Sequence, residues 1–85
     1  MILYLKSDHV YVEMVLKNNN KLLVRNSLNG IAKSLNNNFL RIHRGYIVNF
    51  KYVTKIDVNT LQIQKQELPI GKKFKQDVLS FFKNW

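Results

Sequence analysis

The sequence predicts a small, mainly β domain, with short antiparallel strands in stacked small sheets, one short helix and a C-terminal helix. Several short segments alternate apolar and polar residues, which is the period of a half-buried strand. Two other segments, residues 28–35 and 74–85, repeat apolar residues at helical spacing instead. The chain has 85 residues and no linker, repeat or low-complexity tract, so we expect a single domain over residues 1–85.

The first part of the chain predicts a β-hairpin. Alternate positions of residues 10–16 are apolar, namely Val10, Val12, Met14 and Leu16. Three asparagines follow at positions 18–20, and asparagine tolerates the left-handed conformation that tight turns require. We therefore expect Lys21–Arg25 to be the returning strand of the hairpin.

A short helix is predicted next. Its apolar stripe consists of Leu28, Ile31, Ala32 and Leu35. Ser27 is placed to accept a backbone N–H at the start of this helix. The asparagines at positions 36–38 are expected to end it, because asparagine can adopt the left-handed C-terminal position.

Residues 39–50 are rich in β-branched and aromatic side chains, and they predict the central strands. Alternation places Phe39, Arg41 and His43 on one face, with residues 40, 42 and 44 on the other. Gly45 interrupts the pattern and indicates a bulge or a bend. The apolar run at residues 46–48 continues the sheet.

The last third predicts further short strands and a closing helix. Residues 52–56 form a short strand or a helical turn, residues 61–63 alternate as a strand, and residues 57–60 and 65–67 are turns. Pro69 cannot donate a ladder hydrogen bond, so its strand should end there or lie at a sheet edge. Apolar residues then recur at helical spacing and should pack on the sheets, namely Phe74, Val78, Phe81, Phe82 and Trp85.

Charge is the strongest compositional signal. Fourteen lysines and arginines face five acidic residues, for a net charge of +9. An excess of this size favours a polyanionic partner, because neutralising phosphates releases condensed counterions. The alternative is a merely solubilising surface.

The same inventory argues against catalysis and metal binding. The five acidic residues are scattered, two histidines are too few for a histidine-rich metal site, and there is no cysteine to complete one. We therefore expect a protein that is not an enzyme, with no cofactor and no metal. No apolar stretch approaches the roughly 20 residues that cross a bilayer, and the lack of cysteine fits a reducing compartment. We expect a cytoplasmic protein without membrane contact.

Residues 39–49, FLRIHRGYIVN, resemble the central signature of the LytTR family of DNA-binding domains. That signature is F, any residue, R, an aliphatic, H, R, usually S, an aromatic, two aliphatics and N. Two weaker features flank it in the right order: residues 2–5 with Tyr11, and LPIGKKF at residues 68–74. The resemblance covers essentially the whole chain.

The resemblance implies how DNA is bound. Loops, rather than a recognition helix, enter successive major grooves, and the three contacting positions fall by motif alignment at Tyr11, Arg44 and Lys72. The loop before Tyr11 varies in length, so His9 is the alternative there. Supporting phosphate contacts are expected from Arg41, Lys73 and Lys75. His43 is expected to be structural, with a backbone partner, and Asn49 to be a buried hydrogen-bonding residue.

The resemblance also implies a biological setting. Such domains are output modules of bacterial two-component response regulators, so residues 1–85 are expected to be part of a longer regulator with an upstream receiver domain. The isolated domain should be monomeric, with two copies side by side on paired direct repeats of double-stranded DNA. Gly45 and Gly71 replace the serine typical at those places, which should weaken phosphate positioning.

Two other classes of protein fit the composition. A small basic β-barrel that binds RNA or the ribosome would expose aromatic side chains on its strand faces. A protein-interaction module would use its positive charge to bind an acidic partner. Only the signature at residues 39–49 separates these alternatives from the DNA-binding reading.

Overall fold

The computed structural model describes residues 1–83 and contains two antiparallel sheets with helices. The strands and α-helices are, in order, β1 (Ile2–Asp8), β2 (Tyr11–Leu16), β3 (Lys21–Arg25), α1 (Leu28–Ala32), β4 (Phe39–His43), β5 (Tyr46–Asn49), β6 (Val53–Ile56), β7 (Thr60–Ile63), β8 (Gln66–Pro69) and α2 (Lys75–Lys83). Short 3₁₀ helices, Phe50–Tyr52 and Lys72–Phe74, precede β6 and α2. The predicted fold class is confirmed.

The five-stranded sheet has the order β3-β2-β1-β5-β4, and the three-stranded sheet has the order β6-β7-β8. β1 is the central strand of the larger sheet and pairs antiparallel with both β2 and β5. Consecutive strands form hairpins in both sheets, so their turns lie at the sheet ends. Several of the side chains predicted to contact DNA lie at these ends.

Two apolar clusters form the core. One cluster joins the large sheet to α1 and contains Leu5, Val12, Leu28, Ile31 and Ile47. The other joins the large sheet to the small sheet and α2, and its members include Leu3, Tyr4, Val15, Ile42, Val48, Leu61, Ile63, Leu68 and Val78. β1 contributes to both clusters, which explains why residues 2–5 are continuously apolar rather than alternating.

The hairpin of β2 and β3 forms as predicted, with one correction. Asn19 adopts the left-handed conformation, with φ of 69°. However, Val10 is 55% exposed, and Val15 is buried although it lies outside the predicted apolar stripe. Val12 packs in the cluster with α1, and Val15 packs in the cluster with the small sheet and α2. Both faces of β2 are therefore covered, which a single alternating stripe does not predict. The register of β1 against β2 also shifts between Ile2 and Tyr4, which puts an extra residue in β1.

α1 begins as predicted but ends early. The Ser27 hydroxyl accepts the Gly30 N–H at 3.0 Å, which confirms the N-cap. The helix ends at Ala32, because Ser34 and Leu35 donate to carbonyls only three residues back. The left-handed asparagine predicted at positions 36–38 is wrong. Instead the Asn36 side chain accepts the Asn38 N–H at 2.9 Å and forms a local turn.

The central strands differ from the prediction at one position. The register of β4 against β5 shifts between Arg41 and His43, so His43 does not share a face with Phe39. Its ring packs on Tyr46, with centroids 5.7 Å apart. Gly45 lies in the two-residue turn between β4 and β5, so the predicted bend is correct. The irregularity in strand pairing lies earlier, between Arg41 and His43.

The remaining predictions are largely confirmed. Residues 52–56 contain both a helical turn and a strand, and Pro69 is the last residue of β8, at the edge of its sheet. The last hairpin turn is one residue earlier than predicted, at residues 64–65, where Gln64 has φ of 54°. Val78 is buried in the core, whereas Phe82 is 52% exposed. The prediction for Trp85 lies outside the described residues.

Candidate nucleic-acid interface

One end of the large sheet gathers the segments in which the sequence predicted contacts. Tyr11 pairs with Asp8 on one side and with Arg25 on the other, at the start of β2. The Ser7 N–H donates to the Gly45 carbonyl at 2.9 Å, which brings the β4–β5 turn to the same end. The Gly71 N–H donates to the Ile42 carbonyl at 2.7 Å and adds the 3₁₀ helix beside β4.

We call this end the loop edge, and it is defined by the exposed side chains of His9, Tyr11, Arg25, Arg44, Lys72 and Lys73. Neighbouring strands lie about 4.8 Å apart, so the edge from β3 to β4 spans roughly 19 Å, with the 3₁₀ helix beyond it. The structure therefore brings together five of the seven residues predicted to contact DNA, and it adds Arg25.

Arg44 is the exposed tip of the β4–β5 turn. Within residues 1–83 its guanidinium has no hydrogen-bond or ion-pair partner, although its backbone carbonyl accepts a hydrogen bond from Arg41. A fully charged group with free donors on a fixed turn is suited to bind a base edge or a phosphate.

Arg41 holds this turn in place. Its Nε donates to the His43 carbonyl at 2.9 Å, and its terminal nitrogens donate to the Arg44 carbonyl at 2.6 Å and to Asn29 Oδ1 of α1 at 2.7 Å. The side chain is half-buried, and this burial lowers the pKa of the Arg41 guanidinium. Three of its five N–H groups are used within the protein. The predicted phosphate contact of Arg41 is therefore left with at most two donors.

His43 supports the β4–β5 turn, whereas Asn49 lies at the other end of β5. His43 Nδ1 accepts the Gly45 N–H at 3.0 Å, so the predicted backbone partner is confirmed. Asn49 is buried, donates to the Ile2 carbonyl at 2.9 Å and accepts the Lys51 N–H at 3.2 Å, as predicted. The His43 side chain therefore holds the turn itself, and the Asn49 side chain connects β5 to the start of β1.

The β1–β2 turn offers two candidate contacts. His9 has φ of 58°, and its Nδ1 lies 2.9 Å from Asp8 Oδ1 at the turn tip. The His9 side chain is 91% exposed, and Tyr11 is 41% exposed. Both residues are accessible, so the geometry leaves the choice between them open.

The 3₁₀ helix Lys72–Phe74 presents Lys72 and Lys73 to solvent. Gly71 lets this helix approach β4 closely: a Cβ there would lie 3.0 Å from the Phe74 ring and 3.4 Å from His43 Cα. Lys75 is not part of this group. It is half-buried, and its Nζ donates to Asn59 Oδ1 at 2.6 Å, on the turn between β6 and β7.

Arg25 is the residue that sequence reasoning missed. It is exposed at the end of β3, directly across from Tyr11. The register of the hairpin around the asparagine turn was the signal that could have identified it, because that register fixes which residue faces Tyr11. With Arg25 included, all three arginines of the chain lie at or beneath the loop edge.

Other kinds of site are not supported. Residues 1–83 contain no group of three or more histidine, aspartate or glutamate side chains that could hold a metal ion. None of the helices in the same range is long and apolar enough to cross a membrane.

Comparisons with known proteins agree with this picture. The family model of the LytTr DNA-binding domain matches residues 1–83. A solved structure, described as the LytTr DNA-binding domain of a methyl-accepting/DNA response regulator from Bacillus cereus, superposes with a TM-score of 0.77 at 20% sequence identity. The superposition covers 98% of this chain and 78% of the other, and it shows the shared fold. A comparison with curated protein sequences gives no match.

Proposed function

The chain belongs to the LytTR family of DNA-binding domains, and we propose that it binds double-stranded DNA sequence-specifically through the loop edge. One observation carries this proposal. The Arg44 guanidinium has no hydrogen-bond or ion-pair partner within residues 1–83. The side chains of Arg41 and His43 form hydrogen bonds with the backbone of the β4–β5 turn that carries Arg44. These hydrogen bonds fix the backbone of the turn, and the Arg44 side chain at its tip can bind a ligand.

The roles of the basic residues follow from their chemistry. Arginine can donate two hydrogen bonds to a guanine edge in the major groove, so Arg44 is the base-reading residue. Arg25, Lys72 and Lys73 are exposed and unpaired within residues 1–83, and they neutralise phosphates on either side. Tyr11 or His9 adds a contact from the β1–β2 turn. Arg41 acts mainly as a positioning residue for Arg44, and Lys75 takes no part.

The groove geometry sets a condition on the DNA. A two-stranded hairpin tip fits a major groove about 12 Å wide. Successive major grooves on one face lie about 34 Å apart, whereas the longest dimension of the protein is 32 Å. Loops of one edge can therefore enter two successive grooves only if the duplex bends toward the protein.

The family also supports a proposal about assembly and setting. The domain acts as the output module of a bacterial transcription regulator, with a receiver domain upstream. It is monomeric alone, and two copies bind side by side on paired direct repeats. RNA binding is less well supported, because Tyr4 is buried and packs 6.3 Å from Tyr46, so these rings do not form an exposed stacking face.

The test is a fluorescence-anisotropy titration against a duplex site selected from a random pool, a random duplex, single-stranded DNA and double-stranded RNA. Arg44→Ala should weaken binding to the selected site by about 1–3 kcal/mol and change random-duplex binding little. The matched control is Arg44→Lys, which keeps the charge but loses the bidentate fork. It should lose specificity while keeping non-specific affinity.

Two outcomes would contradict the proposal. Equal binding of double-stranded RNA would remove the preference for B-form DNA. Uniform weakening of all sequences by Arg44→Ala, with full rescue by Arg44→Lys, would reduce Arg44 to a phosphate contact.

A further inference from the structure

A second basic surface lies at the end of the large sheet opposite the loop edge. The Lys17 N–H donates to the Met1 carbonyl at 2.9 Å, so the β2–β3 turn lies at the start of β1. The 3₁₀ helix Phe50–Tyr52 follows β5 at this same end, because Asn49 donates to the Ile2 carbonyl. We call this surface the distal face, and it is defined by Lys17, Lys21, Lys51, Tyr52 and Lys65.

Two of these lysines are gathered on one aromatic ring. The Nζ atoms of Lys17 and Lys51 lie 5.5 Å and 6.0 Å from the centroid of the Tyr52 ring. Their separation therefore does not exceed the roughly 12 Å width of a DNA major groove. Attraction to the ring face limits where the two ammonium groups can move, although both lysines remain exposed to a partner.

The two clefts at the distal face contain no acidic side chain among the described residues. One cleft, of about 200 Å³, has Lys21 and Lys65 in its walls, together with Asn19 and Gln64. The other, of about 270 Å³, is lined by Lys51 and Tyr52 with Asn36 and Asn38. The Glu13 carboxylate lies 3.9 Å from the Lys21 Nζ, at the limit of an ion pair. The positive charge of this face is therefore largely uncompensated within the protein.

The two ends of the sheet differ in the kind of basic residue they carry. The three arginines lie at or beneath the loop edge, whereas the distal face has only lysines. Lysine neutralises phosphate as a point charge and does not read bases bidentately. It is also depleted in protein–protein interfaces, which argues against a protein partner of ordinary composition.

The two surfaces lie at opposite ends of β1, whose seven residues span about 20 Å. They face in opposite directions, so one straight duplex cannot lie across both. We propose that the distal face binds the phosphate backbone of a second duplex, independently of sequence, so that one domain bridges two DNA segments. This inference rests on the proposed function of the loop edge for the first duplex.

The test is a bridging assay on beads. A biotinylated duplex carrying the selected site is saturated with the domain and washed, and a fluorescent random duplex is then added at low salt. The wild-type domain should retain the fluorescent duplex. Lys17→Gln/Lys51→Gln should reduce this retention at least tenfold, while binding to the immobilised site changes less than about threefold. Circular dichroism and thermal unfolding establish that both proteins are equally folded.

The control variant, Lys33→Gln/Lys55→Gln, removes the same charge from two exposed positions outside the distal face and should retain the second duplex. Failure of the wild-type domain to stay on the beads would contradict the proposed function. Retention of the domain without the fluorescent duplex would overturn the proposal for the distal face and leave the proposed function of the loop edge intact. Capture of a fluorescent oligoglutamate peptide in place of the duplex would also overturn it, because it would assign the face to an acidic polypeptide.

Discussion

Arg41 and Arg44 are three residues apart, and the fold gives them different environments. Arg41 is half-buried and donates three hydrogen bonds that join β4, the β4–β5 turn and α1. Arg44 is exposed, and its guanidinium has no hydrogen-bond or ion-pair partner within residues 1–83. One arginine therefore supports the structure that presents the other.

This difference predicts unequal effects of the two alanine substitutions on the free energy of unfolding. Arg41→Ala leaves two backbone carbonyls without their charged donor, and it should lower the free energy of unfolding by about 1–3 kcal/mol. Arg44→Ala should change it by less than about 0.5 kcal/mol. Urea unfolding followed by circular dichroism measures both values. Equal stabilities would show that the Arg41 hydrogen bonds do not hold the turn.

The two glycines that replace family serines also differ. A Cβ at Gly71 would lie 3.0 Å from the Phe74 ring, whereas a Cβ at Gly45 would meet only His43 Nδ1, at 3.6 Å. Gly71→Ser should therefore cost about 1–3 kcal/mol through overpacking, and Gly45→Ser should be tolerated. Thermal unfolding of the two variants, side by side, distinguishes them. A larger loss for Gly45→Ser would contradict the packing argument.

At the scale of elements, α1 links the core to the loop edge. Leu28 and Ile31 pack in the core, while Asn29 of the same helix accepts a hydrogen bond from Arg41. A five-residue helix has little stability of its own, so its cap and its packing must hold it. Changes to the cap should therefore affect the interface as well as the fold.

Ser27→Ala removes the hydroxyl that accepts the Gly30 N–H. It should lower the free energy of unfolding by about 1 kcal/mol, and it should weaken binding to the selected DNA site through Asn29 and Arg41. Ser34→Ala, at an exposed position just beyond the helix, is the control and should be close to neutral. If both variants lose the same stability, the cap contributes nothing specific.

At the scale of the whole molecule, two separate groups of basic side chains lie near opposite ends of the large sheet. The loop edge has four basic side chains without partners in residues 1–83, namely Arg25, Arg44, Lys72 and Lys73. The distal face carries a separate group of lysines. The total charge alone therefore overestimates how many phosphates of one duplex the domain can neutralise.

Three phosphate contacts, from Arg25, Lys72 and Lys73, predict a slope of about −2.7 for log K against log salt concentration. Affinity for a single duplex should then fall roughly 40-fold between 50 and 200 mM salt. Lys72→Gln and Arg25→Gln should each reduce the slope by about 0.9, whereas Lys55→Gln should leave it unchanged. A slope of about −6 would instead mean that the four lysines of the distal face neutralise phosphates of the same duplex as the loop edge.

The sequence by itself determined the family and most of the element types. The signature at residues 39–49 is local and continuous, so no tertiary information is needed to recognise it. The turn at Asn19, the cap at Ser27 and the end of β8 at Pro69 are likewise fixed by backbone preferences of single residues. The fold class and most of the residues that form the loop edge follow from these local rules.

Tertiary structure alone decided which side chains share the interface. The register irregularities before Tyr4 and before His43 change which face of the sheet the following side chains occupy. The alternation of apolar and polar residues in the sequence does not reveal them. Arg25 joins the interface through pairing across the hairpin, and Lys75 leaves it through a hydrogen bond to Asn59, 16 positions away. These outcomes depend on contacts between segments distant in sequence, and such contacts form only when the two sheets and α1 pack together.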